Sequence, residues 1–148
     1  MKLSTRMRYG TRIMLELALR DEQAPVNAGE IAASEELSRK YVESLMVLLR
    51  TAGLVQSVRG AQGGYKLSRP SQGISLYDLF QALEGTEAFV PCSAAAAACP
   101  RYQACVTRDV WAEMLAATTR VLRETALADL AERSRIRQAE SAAYVYSI

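Results

Sequence analysis

Apolar side chains recur at helical spacing from early in the chain. Tyr9, Ile13 and Leu17 lie four residues apart, with Met14 and Leu15 beside them, over residues 5–20, and a turn-like stretch, 21–25, follows. That period predicts a first amphipathic helix. Asn27 stands three residues before Glu30, so that each side chain can satisfy a backbone donor at the other's position; this predicts a short helix over about residues 28–35. After a break at Glu36 and Leu37, Ser38 is a good N-cap for a third helix. Val42, Leu45, Leu48, Leu49 and Ala52 step through it by three and four until Gly53 ends it. A short helix, a tight turn and a longer helix make a helix-turn-helix.

The period then changes to two. Residues 54–58 and 65–68 flank Arg59, Gly60 and a run rich in further glycine, which predicts a β-hairpin with a basic tip. Directly behind a helix-turn-helix, such a hairpin is the wing of a winged helix, and its glycines permit close backbone approach to a phosphate or a minor groove. Leu76, Leu79, Phe80 and Leu83 predict another short helix ending at Gly85. Residues 86–105 show little periodicity. From about Val106 to Leu130 the helical pattern returns, with Val110, Met114, Ala117, Val121, Glu124 and Ala128 on one line and Trp111, Leu115, Thr118, Leu122 and Thr125 on the next. One helix of some 25 residues is roughly 37 Å long. A small winged-helix core cannot cover that length, so the apolar stripe is expected to pack on a second copy of the chain, making a homodimer. The last segment, with Tyr144, Val145, Tyr146 and Ile148 after a charged stretch, has no clear pattern.

The fold class so predicted is mainly α with a small β-hairpin wing. A winged helix-turn-helix domain is expected over residues 1–85, a cysteine-containing loop over 86–105, a dimerisation helix over 106–132 and a tail over 133–148.

Composition narrows the function. The chain has 148 residues, 50% of them apolar and 23% charged, which suits one globular domain with its own core. No apolar run approaches the roughly 18 residues that cross a bilayer, and segment 13–19 is interrupted by Glu16 and closed by Arg20, so neither a membrane span nor a signal peptide is expected. Arg6, Arg8 and Arg12 would suit an amphipathic transit sequence, but their helix continues into the domain pattern; a cytoplasmic protein is the expectation. Histidine is absent, which removes Ser-His-Asp triads, Cys-His pairs and His-containing zinc sites together, and with them most enzymatic readings. Residues 1–70 carry 11 Lys and Arg against 7 Asp and Glu, and residues 71–148 carry 7 against 9, so the halves are +4 and −2. The basic half is the one with the helix-turn-helix.

At the start of the third helix stand Ser38, Arg39, Lys40 and Tyr41, with Glu43, Ser44 and Val47 on or beside the face left free by its core residues. These positions can reach a major groove of double-stranded DNA. Arg can read guanine, Glu can accept from cytosine N4, Ser or Tyr can hold phosphates, and Arg59 at the wing, directly before the glycine-rich tip with Gly60 and Gly63, can enter a minor groove.

Cys92, Cys99 and Cys105 form a second constellation, C-x6-C-x5-C. Zinc sites use tighter knuckles and four ligands, so the spacing fits zinc poorly; an iron–sulfur cluster, 2Fe-2S or 4Fe-4S, is larger and can be held by ligands spread along a loop. If residues 93–98 were helical, Cys92 and Cys99 would lie about 10 Å apart along the axis, too far for one cluster, so cluster binding requires a loop there. Small buried hydrophobes or a redox pair are equally compatible with the spacing.

The opening MKLSTRMRYG, the wing sequence LVQSVRGAQGGY at 54–65 and the three late cysteines closely resemble the bacterial winged-helix family that includes IscR, NsrR, RirA and CymR, over about residues 1–130. The resemblance implies a homodimeric transcription regulator, expected to repress, in which a cluster beside the dimer interface senses iron–sulfur status, redox state or nitric oxide. It implies that Glu43 helps choose between promoter classes, that Arg59 and Gly60 belong to the DNA-reading wing, and that Cys92, Cys99 and Cys105 are the cluster ligands. Two positions depart from the family pattern: Arg108 stands where one branch has a histidine ligand, and Arg8 where another borrows an acid from the partner's first helix. Asp109, a partner side chain or a small exogenous ligand is left to complete the site. The alternative is a cluster-free regulator controlled by a small ligand, a partner protein or thiol oxidation.

Overall fold

The computed structural model describes residues 3–20, 24–60, 62–85 and 99–145. Helix α1 spans Thr5–Leu19, α2 Ala28–Ser34 and α3 Arg39–Thr51; strands β1 (Val55–Val58) and β2 (Gly64–Leu67) follow, then a 3-10 turn at Ser71–Gly73 and α4, Leu76–Glu84. A second 3-10 turn, Tyr102–Ala104, precedes α5, Val106–Glu124, and α6, Leu127–Val145.

Helices α2 and α3 start where the caps Asn27 and Ser38 predict, and α1 and α4 are capped in the same way. Ser4, Asn27, Ser38 and Ser75 each accept a hydrogen bond from the backbone N–H three residues on, satisfying a donor that the first helical turn leaves orphaned. The helix ends of the helix-turn-helix are also alike. Leu37 N donates to Ala32 O at 2.9 Å after α2, and Leu54 N to Leu49 O at 2.9 Å after α3, each closing over a residue with positive φ. After α3 that residue is Gly53, at φ 71°; after α2 it is Glu36, at φ 53°, which carries a side chain where glycine would be unstrained.

The hairpin is antiparallel, with Val55 opposite Leu67 and Val58 opposite Gly64. Val26 adds a third, one-residue strand, exchanging hydrogen bonds of 2.8 and 2.9 Å with Tyr65. The approach is close enough that a Cβ on Gly64 would run into the Val26 carbonyl. Ile13 and Met14 of α1, Ile31 of α2, Leu45, Met46 and Leu49 of α3, and Leu79 and Leu83 of α4 are fully buried in one core.

Two expectations about the C-terminal half change. The helix expected to run unbroken from 106 to about 130 is two helices, and residues 133–145, expected to be a tail without pattern, continue the second of them. The chain extends at Thr125 and Ala126 because their backbone pairs with the segment before α4: Leu76 N donates to Thr125 O at 2.9 Å and Leu127 N to Ile74 O at 2.8 Å. Asp129 then restarts the helix by accepting from Ala126 N at 2.8 Å. Leu127 and Ala131, one turn apart past the break, are buried in the winged-helix core rather than in an extension of the α5 stripe. Cys92 and the rest of residues 86–98 lie outside the described residues.

Candidate nucleic-acid interface and cysteine site

Helix α3 buries Val42, Leu45, Met46 and Leu49 and leaves the opposite face to solvent. The candidate residues lie over its first two turns. Ser38 Oγ accepts from Tyr41 N at 3.2 Å, so this oxygen caps the helix. Arg39 Nε donates to Glu43 Oε1 at 2.8 Å, an i,i+4 ion pair between exposed side chains. Lys40 is exposed, and Ser44 is exposed with its hydroxyl donating to Tyr41 O at 2.7 Å. Arg59 and Gly60 are exposed at the wing, where Gly60 has φ 122° and Gly63 N donates back to Gly60 O at 3.0 Å. Among the described residues Arg59 has no ion-pair partner.

Charge placement distinguishes these residues from an ordinary solvated face. The N-terminus of a helix carries a partial positive charge and favours acids, by about 0.3–1 kcal/mol each at exposed sites. The first turn of α3 has no acid and begins with Arg39 and Lys40; the first turn of α1 has no acid and carries Arg6 and Arg8. Cations there work against helix stability and suit a polyanion facing both helix starts.

The two helix starts are physically joined through aromatic rings, a link sequence reasoning missed. Tyr9 of α1 meets Tyr41 edge to face, with centroids 6.0 Å apart. Arg8 and Arg12 sit with their guanidinium carbons 5.9 and 5.6 Å from the Tyr9 centroid, and Arg12 also pairs with Glu35. The cations in the first turn of α1 were a usable signal; the contact itself joins residues 32 positions apart and leaves no local pattern.

The cysteine site is described in part. Cys99 and Cys105, both half-buried, flank the 3-10 turn Tyr102–Ala104. Tyr102 N donates to Cys99 O at 3.0 Å, and Arg108 N donates to Cys105 O at 3.2 Å as α5 begins. Cys105 Sγ and Thr107 Oγ1 share a hydrogen bond at 3.2 Å. That bond first, and the Arg108 backbone N–H second, hold the Cys105 thiol below its ordinary pKa. The Arg108 guanidinium is used as a strut: it donates to Tyr102 O at 2.6 Å, stacks 4.4 Å from the Tyr102 ring centroid and binds Asp109 at 2.8 Å. Arg108 is therefore no substitute for a histidine ligand, and one oxygen of Asp109 is already engaged. The described residues hold no group of three or more cysteine, histidine or carboxylate ligands.

Beyond this site, α5 has no buried residue, and Val110, Trp111, Met114 and Val121 are exposed along it. Its attachments to the rest of the chain include Arg123, which lies 4.2 Å from the centroid of the Tyr77 ring on α4. No described helix is long and apolar enough to cross a membrane.

Comparison with known proteins places this arrangement. A family model described as "Rrf2: Iron-dependent Transcriptional regulator" matches residues 3–133. The protein rrf2 of Nitratidesulfovibrio vulgaris is 43% identical over 130 residues, covering 88% of this chain and 87% of that protein. The structure of CymR, the global cysteine regulator of B. subtilis, superposes with a TM-score of 0.76 at 37% identity, over 90% of this chain and 98% of CymR. IscR of T. potens superposes with a TM-score of 0.74 at 36% identity, over 90% of this chain and 88% of IscR.

Proposed function

The chain belongs to the Rrf2 family of transcriptional regulators, and from that premise we propose that it is a homodimeric repressor whose grip on operator DNA is set by an iron–sulfur cluster held by Cys92, Cys99 and Cys105. It is a regulator and not an enzyme. In this reading Arg39, Lys40, Tyr41, Glu43 and Ser44 enter the major groove from α3, with Ser38 capping the helix, while Arg59, Gly60 and Gly63 bring the wing to the minor groove. The unpartnered Val110, Trp111, Met114 and Val121 of α5 lie against the same face of a second copy, two DNA-reading heads being what a two-fold-symmetric operator requires.

The observation that carries the sensing role is the placement of Cys99 and Cys105, both half-buried, on either side of one 3-10 turn at the start of α5. Hydrogen bonding to Thr107 lowers the pKa of the Cys105 thiol, in keeping with a thiolate ligand. The donor set suits a thiolate-bound cluster, which when bound would supply one-electron redox and iron–nitrosyl chemistry beyond that of the thiols alone. The residues' own part is to hold it and to link its presence to the position of α5, whose first residue follows Cys105 directly. The iron dependence in the family's description points the same way. The likeness to CymR, a cysteine regulator, favours one second reading, a cluster-free repressor that answers to a small thiol or a partner protein.

Anaerobic purification with an absorption spectrum and an iron count separates the two. Coloured, iron-containing protein whose DNA affinity changes when the iron is removed is the expected result. Colourless protein that binds DNA fully without iron selects the second reading, and an oxidant-induced disulfide among the three cysteines selects a thiol switch.

A further inference from the structure

We propose that Val47 reads a thymine methyl group, making it a specificity-determining residue of the DNA-reading face of α3; this rests on α3 being the helix that enters the groove. Val47 is 50% exposed. It lies one turn beyond Glu43 and Ser44, on the side of α3 opposite the buried Val42, Leu45, Met46 and Leu49. Among the described residues before α5, the large apolar side chains left exposed are Leu3, Val47 and Val58, and Val47 is the one in the middle of a helix face.

Neither packing nor helix formation accounts for a valine there. Its side chain is outside the core, and a β-branched residue on an exposed helix surface forms helix less readily than alanine, lysine or glutamine would. The groups around it are arranged for a dry contact. Ser44 donates to Tyr41 O at 2.7 Å and Thr51 to Val47 O at 2.8 Å, so both hydroxyl protons on this stretch are satisfied within the helix. Arg39 and Glu43 neutralise one another a turn earlier. A base edge can therefore cover Val47 without stranding a buried donor, which would otherwise offset the gain. In the major groove the apolar group a base presents is the C5-methyl of thymine.

Selection of bound duplexes from a random pool with the full chain gives a preferred site, on which each thymine is then replaced singly by deoxyuridine, removing the methyl and no hydrogen-bonding group. One thymine per half-site is expected to be sensitive, with affinity falling about fourfold on loss of its methyl. Val47→Ser is expected to bind the thymine and uracil duplexes equally while keeping the wild-type helical content. A preferred site with no methyl-sensitive thymine, or an undiminished uracil penalty in Val47→Ser, overturns the role of Val47 and leaves the groove-reading of α3 standing. A pool that enriches no sequence overturns both.

Discussion

Glu43 is tied to Arg39 at 2.8 Å, so removing it does two things: an acid on the proposed DNA-reading face disappears and a cation is freed beside it. Affinity of Glu43→Ala for unrelated duplexes is therefore expected to rise relative to the preferred site, measured across a panel of sequences. Lys40→Ala has no such coupling. It should weaken all sequences alike and lower the salt dependence of log K by about 1, the signature of one lost phosphate contact. A different residue-scale prediction comes from Gly53. A Cβ there meets nothing within 4 Å, so the cost of Gly53→Ala is the positive φ alone, and thermal or denaturant unfolding should show a loss of about 1–2 kcal/mol. At this scale much was legible. The caps at Asn27 and Ser38 and the closing Gly53 follow from local hydrogen-bond needs; the Arg39–Glu43 pair, though local, went unread because both residues were assigned to bases. Tyr9 against Tyr41 was not legible, because nothing local links them.

At the scale of elements, α5 presents an apolar face that the other described residues leave exposed. Val121 is 57% exposed on that face, so Val121→Glu is expected to cost the lone chain little but to put a charge into the proposed dimer interface. Sedimentation at micromolar concentration should show wild-type dimer and largely monomeric variant, with helical content retained. Helices α1 to α4 and the hairpin were each readable because caps, periods and turn residues agree. The division between α5 and α6 was not. The apolar rows run through Thr125 into residue 128, and the helix stops because Thr125 and Leu127 exchange backbone bonds with Leu76 and Ile74, some fifty residues earlier.

For the molecule as a whole, the question is how the cysteine segment is joined to the DNA-reading head. The head owns its core, and α6 adds Leu127 and Ala131 to it; none of these contacts uses a described cysteine. Replacing Cys92, Cys99 and Cys105 together by alanine is therefore expected to leave the thermal transition of the head and the dimer intact while abolishing iron retention. Affinity for at least one promoter should then differ from that of anaerobically reconstituted wild type. Equal binding to every promoter tested would remove the sensing role and leave the DNA-binding role untouched.

What the amino-acid order determined alone is what local forces decide: where each helix of the head starts and stops, that β1 and β2 form a hairpin with a basic glycine-rich tip, and that Arg39, Lys40 and Glu43 share an exposed turn. Tertiary structure decided the rest. It split the long apolar pattern at Thr125, sent Leu127 into the head's core, joined α1 to α3 through Tyr9 and Tyr41, and spent Arg108 as a strut on Tyr102 and Asp109. The physical reason is common to most of these. Caps, helical periods and turns are satisfied within a few residues, so the sequence pattern carries them, whereas the backbone pairing at Ile74 and Leu76, the burial of Leu127 and the Tyr9–Tyr41 contact exist only once distant segments have been brought together by the core.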